Sequence, residues 1–304
     1  MKKIFLSTIF LAALSASSVF AADLPSIKSA SVATPALITW TGLYSGLNAG
    51  GTWSNTSQNI SAYPASWQNT WNTEAAAVGL LSQGLSGGGA SSGFIGGGQI
   101  GYNQQLSNSS LSFLIGIEAD IQGIAGSNGS LSKNSKATPS DYNDEAVTVY
   151  GTTSQSLSYI GTVRGRIGIL ALPNLLVFGS GGLAYGGVNA SASYWGSNTE
   201  IFTNSIYSNY DSSGSYSNTK VGWTAGGGAE WMFMPNWSAK IEYFYYDLGS
   251  VNYSLSPSLA IDPYTGNNYF SVLNTSSARF NGNIVRAGVN YHFNFASAPV
   301  VAKF

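Results

Sequence analysis

The chain has no cysteine among its 304 residues and a single histidine, His292. The first absence excludes a disulfide scaffold, a thiolate metal site and a cysteine nucleophile. One histidine leaves little room for a His-based metal cluster or for serine catalysis, which generally needs a histidine oriented by an acid. Charge is scarce too. Asp, Glu, Lys and Arg make up 8 % of the chain, about a third of the usual share. The formal net charge of −1 offers no basic surface for a nucleic acid. Also missing, beyond the first two dozen residues, is any apolar run of about 18, so no helix of the chain would cross a bilayer.

The opening MKKIFLSTIFLAALSASSVFA has a different character from the rest. Lys2 and Lys3 precede an apolar stretch from Ile4 to Leu14, and small residues surround a cleavage point between Ala21 and Ala22. This is the pattern of a secretory signal peptide, residues 1–21. The apolar stretch is too short for a membrane helix, which needs about 20 residues. Removing it takes away two lysines and leaves a net charge near −3. Residues 22–39 (ADLPSIKSASVATPALIT) read as a flexible periplasmic lead-in, residues 40–295 as the folded domain and residues 296–304 as a tail.

What the chain does have is glycine (37 residues), tyrosine (18) and much Ser and Asn. It also has eight stretches in which apolar and polar residues alternate with period two, at about 41–53, 93–105, 111–123, 156–169, 175–188, 220–233, 237–248 and 279–293. A tilted transmembrane strand needs about 9–11 residues, and each stretch supplies that. The connections alternate in length. LSNSS, LALPN and MPN are tight turns, whereas 54–92, 124–155, 189–219 and 249–278 are long and rich in Ser, Asn, Tyr and Gly. Outer-membrane barrels have short periplasmic turns and longer extracellular loops. The expectation is an all-β, eight-stranded antiparallel up-and-down transmembrane barrel, with four long extracellular loops, three short turns and both termini in the periplasm.

The stretch FLIGIEADIQ, residues 113–122, tests that expectation because it carries two carboxylates in an apolar run. One strand face reads Phe113, Ile115, Ile117, Ala119, Ile121, and the other holds Glu118 and Asp120. Elsewhere Arg164, Arg166, Glu230, Lys240, Glu242 and Arg286 also fall on the polar face of their strands. A Lys or Arg facing lipid costs about 2–4 kcal/mol at the bilayer midplane, so the four basic residues would together cost about 8–16 kcal/mol. They must point inward. An eight-stranded barrel is just wide enough for its side chains to fill. Four acids and four bases in that space would be tolerated only as pairs. The expected neighbours are Glu118 and Asp120 with Arg164 and Arg166, Glu230 with Lys240, and Glu242 with Arg286. A soluble lipocalin-like barrel, the rival fold, would turn its apolar side inward and leave these charges outside. A glycosidase pair would need a sugar cleft between its carboxylates, and a metal site would need further ligands.

Aromatic residues on the apolar face fit the same geometry. Trp223 and Trp231 are eight residues apart, about 26 Å along a strand at about 3.3 Å per residue. With a tilt of about 40° that is about 20 Å of height, close to the apolar band between two aromatic girdles. Phe113, Trp237, Tyr291 and Phe293 would form the periplasmic girdle, and Tyr159, Tyr185 and Tyr245 the outer one. Two motif matches carry little. Gly96, Gly98 and Gly101 fit the glycine spacing of a dinucleotide-binding turn, but the match lies inside an alternating stretch with no helix pattern after it. His292 sits alone at the expected periplasmic end of the last strand.

The stretches WTGLYSGLNAGGTWS, RGRIGIL, AGGGAEWMFMPNWSAKIEYFYYDLG and NIVRAGVNYHF, with ADLP after the signal and APVVAKF at the end, resemble the alphaproteobacterial outer-membrane β-barrel family of immunogenic, porin-like surface proteins, related in fold to the OmpA-like transmembrane domain. The resemblance covers all eight strands and implies a structural, surface-exposed component of the outer membrane, surrounded by lipids and lipopolysaccharide and inserted by the barrel-assembly machinery. It implies no enzyme activity and no cofactor. Tyr291, Phe293 and Phe295 have the alternation of the terminal aromatic signal that such machinery reads, but the chain continues to Phe304. Three readings remain open: a barrel with a salt-bridged, largely closed lumen, a narrow porin for small solutes, and a protein whose loops bind haem or a host surface.

Overall fold

The computed structural model describes residues 39–55, 57–64, 80, 87, 90–107, 111–138, 145–261 and 268–293. The expected signal peptide, the lead-in up to residue 38 and the tail lie outside them. The strands are β1 (Gly42–Asn55), β2 (Ser57–Pro64), β3 (Ala90–Ser107) and β4 (Ser112–Ala125). There follow β5 (Asn128–Ala137), β6 (Glu145–Leu172), β7 (Leu175–Glu200) and β8 (Ile206–Met234). Last come β9 (Trp237–Ser254), β10 (Ser258–Ile261) and β11 (Asn268–Phe293).

Eight of these close a ring. From β1 the order runs β3, β4, β6, β7, β8, β9, β11, every pairing antiparallel, and β11 pairs back with β1 from Leu43↔Phe293 to Trp53↔Asn283. Each expected strand is present in this ring. The remaining three extend it at one end: β2 continues β1 along β11, β5 continues β4 along β6, and β10 continues β9 along β11. At the other end the described connections are tight, with Pro173–Asn174 joining β6 to β7 and Pro235–Asn236 joining β8 to β9.

The long connections differ from open loops. β6, β7, β8 and β11 run for 28, 26, 29 and 26 residues, more than twice what a membrane crossing needs. The cause is visible in β7, where Ala190, Ala192 and Tyr194 are buried while Ser191, Ser193 and Trp195 are exposed. Alternation of small polar and small apolar residues still gives a sheet one dry face, although it is far weaker than Ile against Arg. Between β4 and β5 the chain turns at Gly126, whose φ of 83° suits glycine. At Gly101 the requirement is space: a Cβ there would strike the ring of Tyr44, its partner across β1–β3. That glycine belongs to the apparent dinucleotide motif, which lies wholly inside β3 with no helix following.

The wall is inverted relative to a water-soluble fold. Leu47, Ile167, Val221, Phe94, Leu183 and Ile241 are each at least 60 % exposed on the outside. Charged side chains fill the middle, which removes the lipocalin-like alternative. Two apolar clusters flank them. Near the short turns, Trp40, Leu114, Leu176, Phe178 and Met232 pack together. On the opposite side, Ile95, Ile160, Phe244, Leu248, Phe280 and Ile284 begin a larger cluster that continues between the strand extensions to Ala192, Tyr194 and Tyr253.

Candidate functional site: the charged layer in the lumen

Alternation along each ring strand delivers the eight predicted charged residues to the interior, where each is at most 5 % exposed. Register then decides who meets whom. Glu118 stands opposite Arg164 across β4–β6, and their side chains meet at 2.6 Å. Glu242 stands opposite Arg286 across β9–β11, meeting at 2.7 Å. Arg164 also reaches Asp120 at 3.0 Å and, across the lumen, Glu242 at 2.6 Å. Arg286 reaches Asp120 at 2.8 Å.

Two expected partnerships come out differently. Glu230 and Lys240 are opposite in register across β8–β9, yet Glu230 bonds to Arg166 of β6 at 2.7 Å. Lys240 crosses to Glu118 of β4 at 2.8 Å. Arg166, expected beside Glu118 and Asp120, lies 3.6 Å from Glu118 and gives its shorter contact to Glu230. Long side chains in a narrow ring reach the far wall as easily as the next strand, so adjacency alone does not choose partners.

Neutral groups complete the layer. Tyr44 donates to Glu118 Oε2 at 2.7 Å and accepts from Arg166 Nη1 at 2.8 Å. Asp120 accepts from Thr162 and Gln122, and Lys240 also donates to Gln99. Rings close it on both sides. Arg166 lies 4.1 Å from the centroid of Phe178, in the cluster near the short turns. Arg164 and Arg286 lie 4.8 and 4.9 Å from that of Phe244, in the larger cluster. Such cation–π contacts strengthen when desolvated. Sequence reasoning passed over Tyr44, Phe178 and Phe244, although parity places Tyr44 on the same face as Asn48 and Thr52.

His292 packs against Trp40 and Tyr44, with ring centroids 5.6 and 5.5 Å apart. Ser238 and Glu230 stand near it, a set with the composition of a hydrolase triad. The geometry is not that of one. Ser238 Oγ lies 2.9 Å and Glu230 Oε1 3.4 Å from the same nitrogen, Nε2, and Ser238 donates directly to Glu230. A working triad puts the nucleophile and the acid on opposite nitrogens of the histidine ring, with the nucleophile open to substrate. Here Ser238 is fully buried. Trp40, whose Nε1 donates to Pro173 O at 3.1 Å, packs beneath it at the short-turn end. Among the described residues no group of three or more His, Cys, Asp or Glu could hold a metal ion.

The predicted aromatic residues form outward-facing contacts at two levels. Near the short turns Trp237 meets Tyr291 at 5.1 Å, Tyr291 meets Phe293 at 5.0 Å and Trp231 meets Phe233 at 5.9 Å. Phe113, at the start of β4, is 41 % exposed. Farther along, Trp223 meets Tyr245 at 5.4 Å and Tyr159 hydrogen-bonds to Thr219. Tyr185 lies over Gly161 across β6–β7.

A barrel with an apolar exterior and its charges inside is built for a bilayer, and comparison with known proteins says which one. The 31 kDa outer-membrane immunogenic proteins of Brucella melitensis biotype 1 and Brucella suis biovar 1 are each 32 % identical over 295 residues, covering 96 % of this chain and 100 % of theirs. The chain belongs to this family of outer-membrane immunogenic proteins. It is an outer-membrane β-barrel of a Gram-negative type, and the exposed Leu, Ile and Val residues of its wall face lipid. No protein-family model matches it. Among solved structures it is similar to OprG of Pseudomonas aeruginosa (9 % identity, TM-score 0.35, covering 83 % of this chain and 97 % of that one). Neisserial surface protein A is similar at 13 % identity and TM-score 0.27, covering 83 % and 98 %. Ail of Yersinia pestis is similar at 11 % and 0.24, covering 81 % and 99 %.

Proposed function

We propose that this protein is a structural component of the outer membrane whose lumen is closed, with the short turns in the periplasm and the strand extensions rising outside the cell. On this reading the barrel anchors a β-structured surface and neither conducts nor catalyses. The observation that carries it is the filled interior: eight paired charges, each at most 5 % exposed, between two apolar clusters. Wide aqueous channels belong to barrels of about 16–18 strands, whereas about eight give an interior that side chains fill. The two outward aromatic levels would sit at the two bilayer interfaces, and the barrel-assembly machinery would insert the chain. Loop-mediated haem binding draws no support from the histidine, because His292 is enclosed by Trp40 and Tyr44.

Single-channel recording of the refolded protein in a planar bilayer tests the reading. A silent membrane, with folding shown by a heat-dependent gel shift, is the expected result. Steady stepwise currents would make the protein a porin and the Arg164–Glu118 layer its constriction.

A further inference from the structure

Beyond the membrane-spanning ring, β5, β6, β7 and β8 form a four-stranded sheet with one dry face and one wet face. The wet face is unusual in its regularity. One register row across the four strands is Ser130, Ser154, Ser191 and Ser215. The next is Ser132, Thr152, Ser193 and Ser213, and the one after it Asn134, Tyr150, Trp195 and Asp211. Two rows of hydroxyls therefore lead to a pair of aromatic rings flanked by an amide and a carboxylate.

The rings are turned outward. Tyr150 and Trp195 are 46 % and 45 % exposed, with centroids 5.5 Å apart and planes 31° from parallel, so they form one continuous shelf. They border an open groove of about 660 Å³ that also takes in Lys133, Ser132, Thr152 and Ser213. Small-molecule sites typically measure about 300–1,000 Å³. Two adjacent exposed aromatics are not needed for solubility, and a patch of that kind points to a partner.

The chemistry of the lining selects the partner. Among the described residues no Val, Leu, Ile or Met borders the groove, so they offer no pocket for an apolar peptide side chain. Its charged members among the described residues are Lys133 and Asp211, one of each sign, a balance that does not favour a strongly ionic ligand. A sugar ring fits both halves of the surface. Its C–H face carries slight positive charge and lies well on the electron-rich face of an indole or phenol. Its hydroxyls pair with Ser and Thr, which donate and accept, with the amide of Asn, which donates through nitrogen and accepts through oxygen, and with the carboxylate of Asp, which accepts.

Position selects the source. The shelf faces sideways from the wall rather than along the barrel axis. Trp195 lies ten residues beyond Tyr185 on β7, about 33 Å along the strand at about 3.3 Å per residue. That is about 25 Å of height at a tilt of about 40°. With the strand extensions outside the cell, as proposed above, the medium beside this shelf is the saccharide of the outer leaflet's glycolipid. We propose that the Tyr150–Trp195 groove binds a segment of the lipopolysaccharide saccharide, stacking a sugar ring on the shelf and holding its hydroxyls with the row below. The site rests on that orientation, and it stands whether or not the lumen conducts.

The test uses the full chain refolded into detergent micelles without lipopolysaccharide. The probe is core oligosaccharide from the source organism's own lipopolysaccharide, freed of lipid A by mild acid. Saturation-transfer NMR should show saturable binding, and the double variant Tyr150→Ala/Trp195→Ala, folded by gel shift, should bind at least tenfold more weakly. Trp223→Ala, a substitution on the lipid-facing wall, should bind like the parent. Absence of saturable binding, or equal binding by the double variant, would overturn the proposal. Maltoheptaose serves as an unrelated glycan. If it bound the shelf as tightly as the core oligosaccharide, or in its place, the assignment to lipopolysaccharide would be wrong. Protease protection of the strand extensions in intact cells reports orientation separately: cleavage from outside keeps that premise, and cleavage only after lysis removes it.

Discussion

At the scale of single residues, the charged layer should respond asymmetrically to substitution. A buried ion pair adds little net stability over a well-packed apolar pair, but deleting one partner leaves the other charge buried and uncompensated, at about 3–5 kcal/mol. Arg164 contacts Glu118, Asp120 and Glu242. Arg164→Met should therefore destabilise the refolded barrel by about 3–5 kcal/mol in denaturant unfolding from micelles. Arg279→Met, which removes an ion pair whose arginine side chain is 56 % exposed, should cost clearly less, because water reaches that side of Asp247 and Asp247 keeps its bond from Gly249 N. A result with the two variants equal would mean that the layer is hydrated and its pairing incidental. Exchanging Glu118 and Arg164 should rescue folding only in part, because Glu118 also receives Lys240 at 2.8 Å. The existence of this layer was legible in the sequence. Period-two parity and the cost of charge against lipid were enough to send Glu118, Asp120 and the arginines inward. Partners on neighbouring strands, Glu118 with Arg164 and Glu242 with Arg286, were legible too; Arg166 to Glu230 and Lys240 to Glu118 were not, since they are contacts made across the lumen after closure, between residues 64 and 122 positions apart.

At the scale of elements, the reading of eight spanning strands came from strong alternation, Ile and Val against Gly, Glu and Arg. It faded where the wall leaves the bilayer. Above that level a strand no longer needs a continuous lipid-facing row, so Ser and Asn replace Ile outside while Ala and Gly suffice within. The 26-residue β7 and 29-residue β8 therefore resembled loops beyond Val188 and Lys220. Amide exchange distinguishes the two. In the interior of the four-stranded sheet, β6 and β7 have hydrogen-bonded neighbours on both sides. Their amides at 147–156 and 189–198 should exchange far more slowly than those of β10, four residues long. Uniformly fast exchange across all of them would make the extensions loops after all. The turn between β4 and β5 gives a second check. Gly126→Ala places a side chain in left-handed backbone and should cost about 1–2 kcal/mol, read by the same unfolding assay.

At the scale of the whole molecule, the closed-lumen proposal amounts to three obstructions in series. The cluster around Trp40 packs near the short turns, the charged layer lies in the middle, and the cluster around Phe244 continues into the extensions. None of the apolar obstruction was visible from parity, because Leu114, Leu176 and Phe178 simply fall on the face assigned to polar groups. Trp40 precedes the first strand altogether. Obstructions in series behave as resistances in series, so removing one leaves the others in control. Trp40→Ala deletes a fully buried side chain and should cost about 3–5 kcal/mol. On that proposal its conductance in a planar bilayer should nonetheless remain at the baseline, because ions would still meet the buried layer of Arg166, Lys240 and Glu118. If Trp40→Ala alone produced stepwise currents, the charged layer would be a permeable filter and the tryptophan its gate, and the closed-lumen reading would give way to a plugged channel.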